Sequence, residues 1–190
     1  MPTSTKVYAA EAVDKPLHLS HIQRRNPGAK DVVIDILYCG VCHSDIHTAR
    51  NEWGGTHYPC VPGHEIVGKV TRVGRKTTKY SIGDVVAVGC LVDSCRRCSS
   101  CQKNLEQHCE KGPIFSYNST EEQTGGITYG GYSQNIVVDE DFVLRVPKNL
   151  NMAAAAPLLC AGITTYSPLK RYNIKKGQKI KLEIDGLKER

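Results

Sequence analysis

Cys95, Cys98, Cys101 and Cys109 crowd four thiols into one short segment, two residues apart for the first three and seven for the last. Thiolates at this spacing can converge on one soft cation, and four of them closing a tetrahedron make a structural zinc site. The same residues could instead form disulfides or be four unrelated buried thiols. The surrounding segment, DSCRRCSSCQKNLEQHCEKG, is too polar for buried thiols. Nothing in the chain points to a disulfide-forming compartment either. Metal binding is therefore the reading adopted, and it fixes a compact loop lobe at residues 90–112 that few folds carry.

At 190 residues and 40% apolar composition the chain can bury one good core and a fragment of a second. It has nine cysteines, no N-terminal apolar stretch and no apolar run long enough to span a bilayer. The expectation is a soluble, cytoplasmic protein with no membrane partner. The net charge of +6 raises the question of nucleic acid, but eight basic residues against three acidic ones lie from Lys170 onward. The rest is close to neutral, so a solvated terminus explains the charge and no nucleic-acid partner is expected.

The first half reads as β structure. KVYAAEAV, KPLHLSHIQ, DVVIDILYCG, HEIVGKVTRVG and DVVAVGCLV are short runs rich in valine and isoleucine, punctuated by glycine, proline and asparagine. This pattern predicts a barrel or sandwich rather than a parallel α/β sheet. CHSDIHTARN is predicted to form a short helix, and KNLEQH a helical turn inside the cysteine lobe. After a polar, glycine-rich stretch (SYNSTEEQTGGITYGG) come strands in YSQNIVVDE and FVLRVP. The run NMAAAAPLLCAGITTYSPLKRYN then turns helical, capped by Asn149 or Asn151.

Cys42, His64 and Cys160 are far apart in sequence, and spacing alone does not unite them. Taken singly, His64 reads as a packed core histidine and Cys160 as a small buried thiol. Each nevertheless sits in a distinctive context: YCGVCHSDIH, VPGHEIVGKVTRVG and APLLCAGITTY. Two thiolates and one imidazole leave one corner of a zinc tetrahedron open, as a catalytic zinc requires. Cys39, Cys60 and Cys90 have no assigned partner and read as small buried hydrophobes.

The motifs GVCHSD, PCVPGHEIVG, the cysteine quartet, GGYSQNIVV and PLLCAGITTYSPL follow one another in order through about residue 178. Together they resemble the zinc-dependent medium-chain alcohol dehydrogenases, most closely the cinnamyl-alcohol and broad aldehyde-reducing NADP-dependent branch. Alcohol dehydrogenases are themselves the standard instance of a zinc held by two cysteines and one histidine. One departure is Thr77, three residues after Gly74, where the family usually has Ile, Val, Ser, Ala or Cys.

The resemblance implies a mainly β, GroES-like, partly open barrel with short helices and a four-cysteine zinc lobe. Residues 1–150 would be the catalytic domain, 151–178 an interdomain helix and the start of a Rossmann domain, and 179–190 a divergent basic tail. It implies two zinc ions: one on Cys95, Cys98, Cys101 and Cys109, the other on Cys42, His64 and Cys160 with Glu65 as an alternate ligand. Asp45 would accept the other ring N–H of His64 and fix its tautomer. Ser44 would bond the substrate hydroxyl, and His47 would complete a proton path to water. His43 and Thr164 would touch the NADP(H) cofactor, while Trp53 and Leu91 would line the pocket. The implied reaction is reversible hydride transfer between a small primary alcohol, aromatic or medium-chain, and its aldehyde. A homodimer is possible in the full-length family. The runner-up is a non-catalytic zinc-binding remnant or interaction module, and a zinc-ribbon nucleic-acid binder is a third reading.

The family continues into a Rossmann domain opened by a G-x-G-x-x-G turn. Here KKGQKI leads into KLEIDGLKER, and Gly186 is the one glycine after it. The change of character at Lys181 reads as truncation or frameshift. A chain without the cofactor domain is expected to have negligible dehydrogenase activity on its own, because the orientation that domain imposes is missing.

Overall fold

The computed structural model describes residues 3–180, so the divergence expected from Lys181 onward lies outside the described residues. Its strands are β1 (Thr3–Ala9), β2 (His18–Arg24), β3 (Asp31–Cys39), β4 (Ile66–Val73), β5 (Val85–Val88), β6 (Leu91–Asp93), β7 (Ile114–Phe115), β8 (Asn135–Asp139) and β9 (Leu144–Arg145). Four short helices accompany them: α1 (His43–Ala49), α2 (Ser99–Gln102), α3 (Met152–Ala155) and α4 (Ala161–Arg171). Five strands form one sheet in the order β8-β3-β4-β5-β9, while β1 pairs with β2 and β6 with β7. All of these pairings are antiparallel. The large sheet does not close on itself, which makes it the partly open barrel expected of this sequence.

Side chains alternate across the sheet and build two cores. Val32, Ile34, Ile66, Val70, Val86, Val88, Ile136 and Val138 pack together on one face. Val67 and Ala87 point the other way, against Ala155 and Ala156. Strands β4 and β5 are thus apolar on both sides, at roughly 1.5–3 kcal/mol for each large side chain taken out of water.

Asn151 caps α3, its side chain accepting the Ala154 N–H at 3.1 Å. The helical run is then interrupted at a 3-10 turn over Ala156–Leu159 that contains Pro157, since proline removes a backbone donor and clashes with the preceding turn. Cys160 sits at the break (φ −128°, ψ −71°), and α4 departs at 60° to the preceding piece. No residue of α4 is buried. Among the described residues no single helix is long and apolar enough to cross a membrane.

In the cysteine lobe the expected turn near KNLEQH is a 3-10 turn at Glu106–His108. The single α-helical turn α2 was not foreseen. The lobe is tied to the sheet by Arg96, which donates to Asp93 at 2.8 Å and to Asp139 at 2.9 Å and lies over the Phe142 ring. A second tie runs through the buried Arg24. It donates to the carbonyls of Asn135 (3.0 Å), Tyr129 (2.6 Å) and Gly130 (2.9 Å) and to the Ser133 hydroxyl (2.7 Å). Burial holds its pKa down at about 10. The loop it grips donates in turn to the segment before β4, Gly130 N–H to Val61 and Gly131 N–H to Gly63. The hairpin β1–β2 is thereby linked, through this loop, to the segment that leads into His64.

Candidate metal centres

Two groups of potential ligands converge, and both were named from sequence. Cys95, Cys98, Cys101 and Cys109 bring their sulfurs within 4.8 Å of one another. Sulfur–sulfur distances are 3.4 Å for Cys98–Cys101 and 3.9 Å for Cys95–Cys101. With metal–sulfur bonds of about 2.3 Å, the edge of a tetrahedron is about 3.8 Å, so the set fits zinc. Backbone N–H groups point at the sulfurs, from Cys95 to Cys109, from Cys98 to Cys95 and from Glu110 to Cys98. The N–H groups of Glu110 and Cys101 bring the Cys98 thiol down to about 6. All nine cysteines are free.

Cys42, His64, Glu65 and Cys160 form the second group, again within 4.8 Å. The Cys42 and Cys160 sulfurs are 3.8 Å apart, the same tetrahedral edge. Each ligand arrives by a different route. Cys42 is the N-cap of α1, His64 and Glu65 end the loop into β4, and Cys160 occupies the helix break. Gly40 must lack a side chain here, because a Cβ would overlap the Glu65 carboxylate. Glu65 accepts the Ala161 N–H at 3.5 Å.

Asp45 lies beneath His64 and is 2% exposed. It accepts four hydrogen bonds: Cys42 N–H (2.9 Å), Gly63 N–H (3.0 Å), Tyr132 O–H (2.9 Å) and, with the ring nitrogen protonated, His64 Nδ1–H (3.1 Å). Burial works to raise the Asp45 pKa, but the bonds from His64, Cys42 and Gly63 outweigh it and hold the carboxyl below its usual value. Burial likewise works to lower the His64 pKa, and Asp45 and Cys42 reverse the sign. With Nδ1 engaged by Asp45, Nε2 is the nitrogen left for a metal. Burial, then the charges of Cys90 and Cys42, push the Cys160 thiol up. Gly63, at φ +102°, supplies the turn that sets this loop against Tyr132.

A cavity of about 470 Å³ opens beside this group. Ser44, Thr48, Trp53, His64, Cys90 and Cys160 contribute to its wall, together with the strip Phe115, Ser116, Tyr117 and Asn118. The Ser44 hydroxyl is 3.7 Å from the Cys42 sulfur. His43, His47 and Trp53 stack along the outside of α1 (centroids 4.9 and 4.8 Å apart), and His47 Nδ1 meets the Glu52 carboxylate. Thr164 is exposed on α4, its N–H donating to the Cys160 carbonyl at 3.0 Å.

Leu91 does not line the cavity, contrary to expectation. It is paired with Phe115 in the β6–β7 ribbon, and the preceding residue, Cys90, reaches the cavity instead. Cys90 is accordingly no inert core thiol, whereas Cys60 is buried as expected. The 115–118 strip and Tyr132 were also missed. Their one sequence signal was three aromatic residues, Phe115, Tyr117 and Tyr132, in otherwise polar, glycine-rich surroundings.

Comparison with known proteins places these features in context. The family model described as "Alcohol dehydrogenase GroES-like domain" matches residues 28–148. NADP-dependent alcohol dehydrogenase C of Mycobacterium bovis is 54% identical over 97% of the chain and 53% of its own length. The structure of CAD from Helicobacter pylori, complexed with NADP(H), superposes with a TM-score of 0.91 at 47% identity, over 94% of the chain and 52% of that protein. Cinnamyl alcohol dehydrogenase from Sorghum bicolor gives a TM-score of 0.87 at 45% identity, over 90% and 48%. The chain spans about half the length of the relatives it matches.

Proposed function

This chain belongs to the alcohol dehydrogenase GroES-like domain family, and we propose that it carries the metal site and substrate cavity of a zinc-dependent oxidoreductase interconverting primary alcohols and aldehydes with NADP(H). The observation that carries this reading is the convergence of Cys42, His64 and Cys160 beside a cavity walled by Trp53, Phe115 and Tyr117. Zinc held at that point would supply Lewis acidity to an alcohol or carbonyl oxygen, and bound NADP(H) would be the source or acceptor of the hydride. Cys42, His64 and Cys160 would be its ligands, with Glu65 beside them as an alternate one. Asp45 keeps the His64 proton on Nδ1. Ser44 would accept the proton of the substrate hydroxyl while giving its own to the cofactor ribose, from which His47 would complete the path to solvent. His43 and Thr164 face the cofactor. The aromatic walls favour aromatic or medium-length chains. Cys95, Cys98, Cys101 and Cys109 would hold a second, closed zinc that braces the lobe. Residues 1–150 are the catalytic domain under this reading, and 151–178 lead toward the cofactor.

Metal analysis of the purified chain tests it. The expected result is two zinc ions, one of which leaves first under mild chelation because its site keeps an open corner. Cobalt placed in the vacated site should change its visible spectrum when benzaldehyde or benzyl alcohol is added. One tightly held zinc and no spectral response would leave only the non-catalytic remnant.

A further inference from the structure

Ser116 is 2% exposed and lines the cavity, yet its Oγ has no hydrogen-bond partner. Among the described residues it is the one buried side-chain nitrogen or oxygen left in this state. An unpaired buried hydroxyl is costly enough that native proteins rarely carry one without a use. Its backbone is paired with the facing segment, the Ser116 N–H donating to the Cys90 carbonyl at 2.8 Å. Some other polar groups of the wall have neighbours of their own. The Ser44 hydroxyl lies against the Cys42 sulfur, and His64 Nδ1 against Asp45. The Asn118 amide accepts from His57 N–H at 2.8 Å and donates to the Gly55 carbonyl at 3.4 Å. Beside Ser116, Phe115 and Tyr117 present aromatic surface to the same space.

We propose that Ser116 hydrogen-bonds a second polar group of the substrate, carried on its apolar skeleton apart from the oxygen that reacts. This rests on reading the cavity as the substrate site. A hydroxyl both donates and accepts, so the favoured class is an aromatic or medium-length alcohol or aldehyde bearing a further hydroxyl or carbonyl oxygen. Shape selects the skeleton, and Ser116 selects among skeletons of equal size. The discrimination is largest against an analogue that places a methyl group where the hydroxyl is needed, since Ser116 then stays unpaired.

The test is equilibrium binding to the full zinc-loaded chain by titration calorimetry. The ligands are benzyl alcohol, its ortho, meta and para hydroxy derivatives, and the matching methyl derivatives. At least one hydroxy isomer should bind about three- to tenfold more tightly than its methyl counterpart. Ser116→Ala should erase that preference while leaving benzyl alcohol within about twofold and thermal stability undiminished. The proposal is overturned if the preference survives Ser116→Ala, or if no isomer is preferred, in which case water alone serves the hydroxyl. A drop in melting temperature on substitution also overturns it, by showing that the hydroxyl has a structural partner. If benzyl alcohol itself fails to bind, the substrate-site reading falls together with this one.

Discussion

Replacing Asp45 by asparagine keeps the shape of the side chain and changes only its hydrogen-bonding sense. One carboxylate oxygen takes the Cys42 N–H and the Tyr132 hydroxyl, the other the Gly63 N–H and His64 Nδ1. An amide must turn its NH2 toward one of these pairs. Facing Gly63 and His64, it orphans a backbone N–H and drives the imidazole proton to Nε2, where a metal is excluded. Facing Cys42 and Tyr132, it preserves the tautomer, and the tyrosine can rotate to accept, but the Cys42 N–H is stranded against another donor. The second arrangement is the less costly. Its penalty is about 1–3 kcal/mol for the stranded N–H. Each of the two surviving bonds loses its charge assistance, at about 1 kcal/mol apiece. Asp45→Asn should therefore destabilise the fold by about 3–5 kcal/mol, a large fraction of a typical domain's stability. The zinc at Cys42, His64 and Cys160 should weaken by about 10- to 100-fold, and the four-cysteine zinc should not change. Urea unfolding of the zinc-loaded protein measures the first quantity, and titration with a competing chelator resolves the two zinc affinities. An unshifted urea midpoint with both affinities intact would refute the hydrogen-bond reasoning. Equal weakening of both sites would show instead that the effect is global unfolding.

Two further outcomes follow from the lobe. Arg96→Met removes the bonds to Asp93 and Asp139, and because the side chain is partly exposed the expected cost is about 1–2 kcal/mol; limited proteolysis should cut within residues 95–112 faster than in the parent, and unchanged cleavage would count against the tie. In chelator-treated protein Cys98 should be the first thiol alkylated, its rate rising through about pH 6 and levelling above it, since the Glu110 and Cys101 N–H groups favour its thiolate. Cys39 and Cys60, pushed up by burial to about 12 and about 11, should stay protonated and unreactive at pH 8. Peptide mass spectrometry after timed labelling gives the order, and restoring zinc should protect Cys98.

Which features could be read from the chain follows from how far apart their parts lie. The cysteine quartet was legible because its geometry is local, and the strands because alternation is local too. Cys42, His64 and Cys160 could be joined only through their surrounding motifs, since their convergence depends on the helix break at Pro157 and on the pairing of β3 with β4. Asp45 was named from the same motifs, but the four donors around it come from three separate segments. Tyr132 reaches it from the loop that Arg24 grips. Leu91 was named for the pocket, but its neighbour Cys90 and its pairing partner Phe115 form the wall there, and that pairing joins segments 24 residues apart. Ser116 carried no signal, because nothing in a serine's neighbours tells whether its hydroxyl will find a partner.

The two candidate metal sites also differ in when they can exist. Cys95 and Cys109 are 14 residues apart, whereas Cys42 and Cys160 are separated by 118. Closing the longer loop in an unfolded chain costs about 2 kcal/mol more entropy, before counting the sheet that must intervene. The lobe can thus capture its ion while most of the polypeptide is still unstructured, and even while it is being synthesised. The other site becomes a site only after the last of its sulfurs has arrived and the sheet has closed beneath it. If both sites take up zinc as proposed, metal acquisition would be ordered in time, the lobe filling early in folding and the site at Cys42, His64 and Cys160 late.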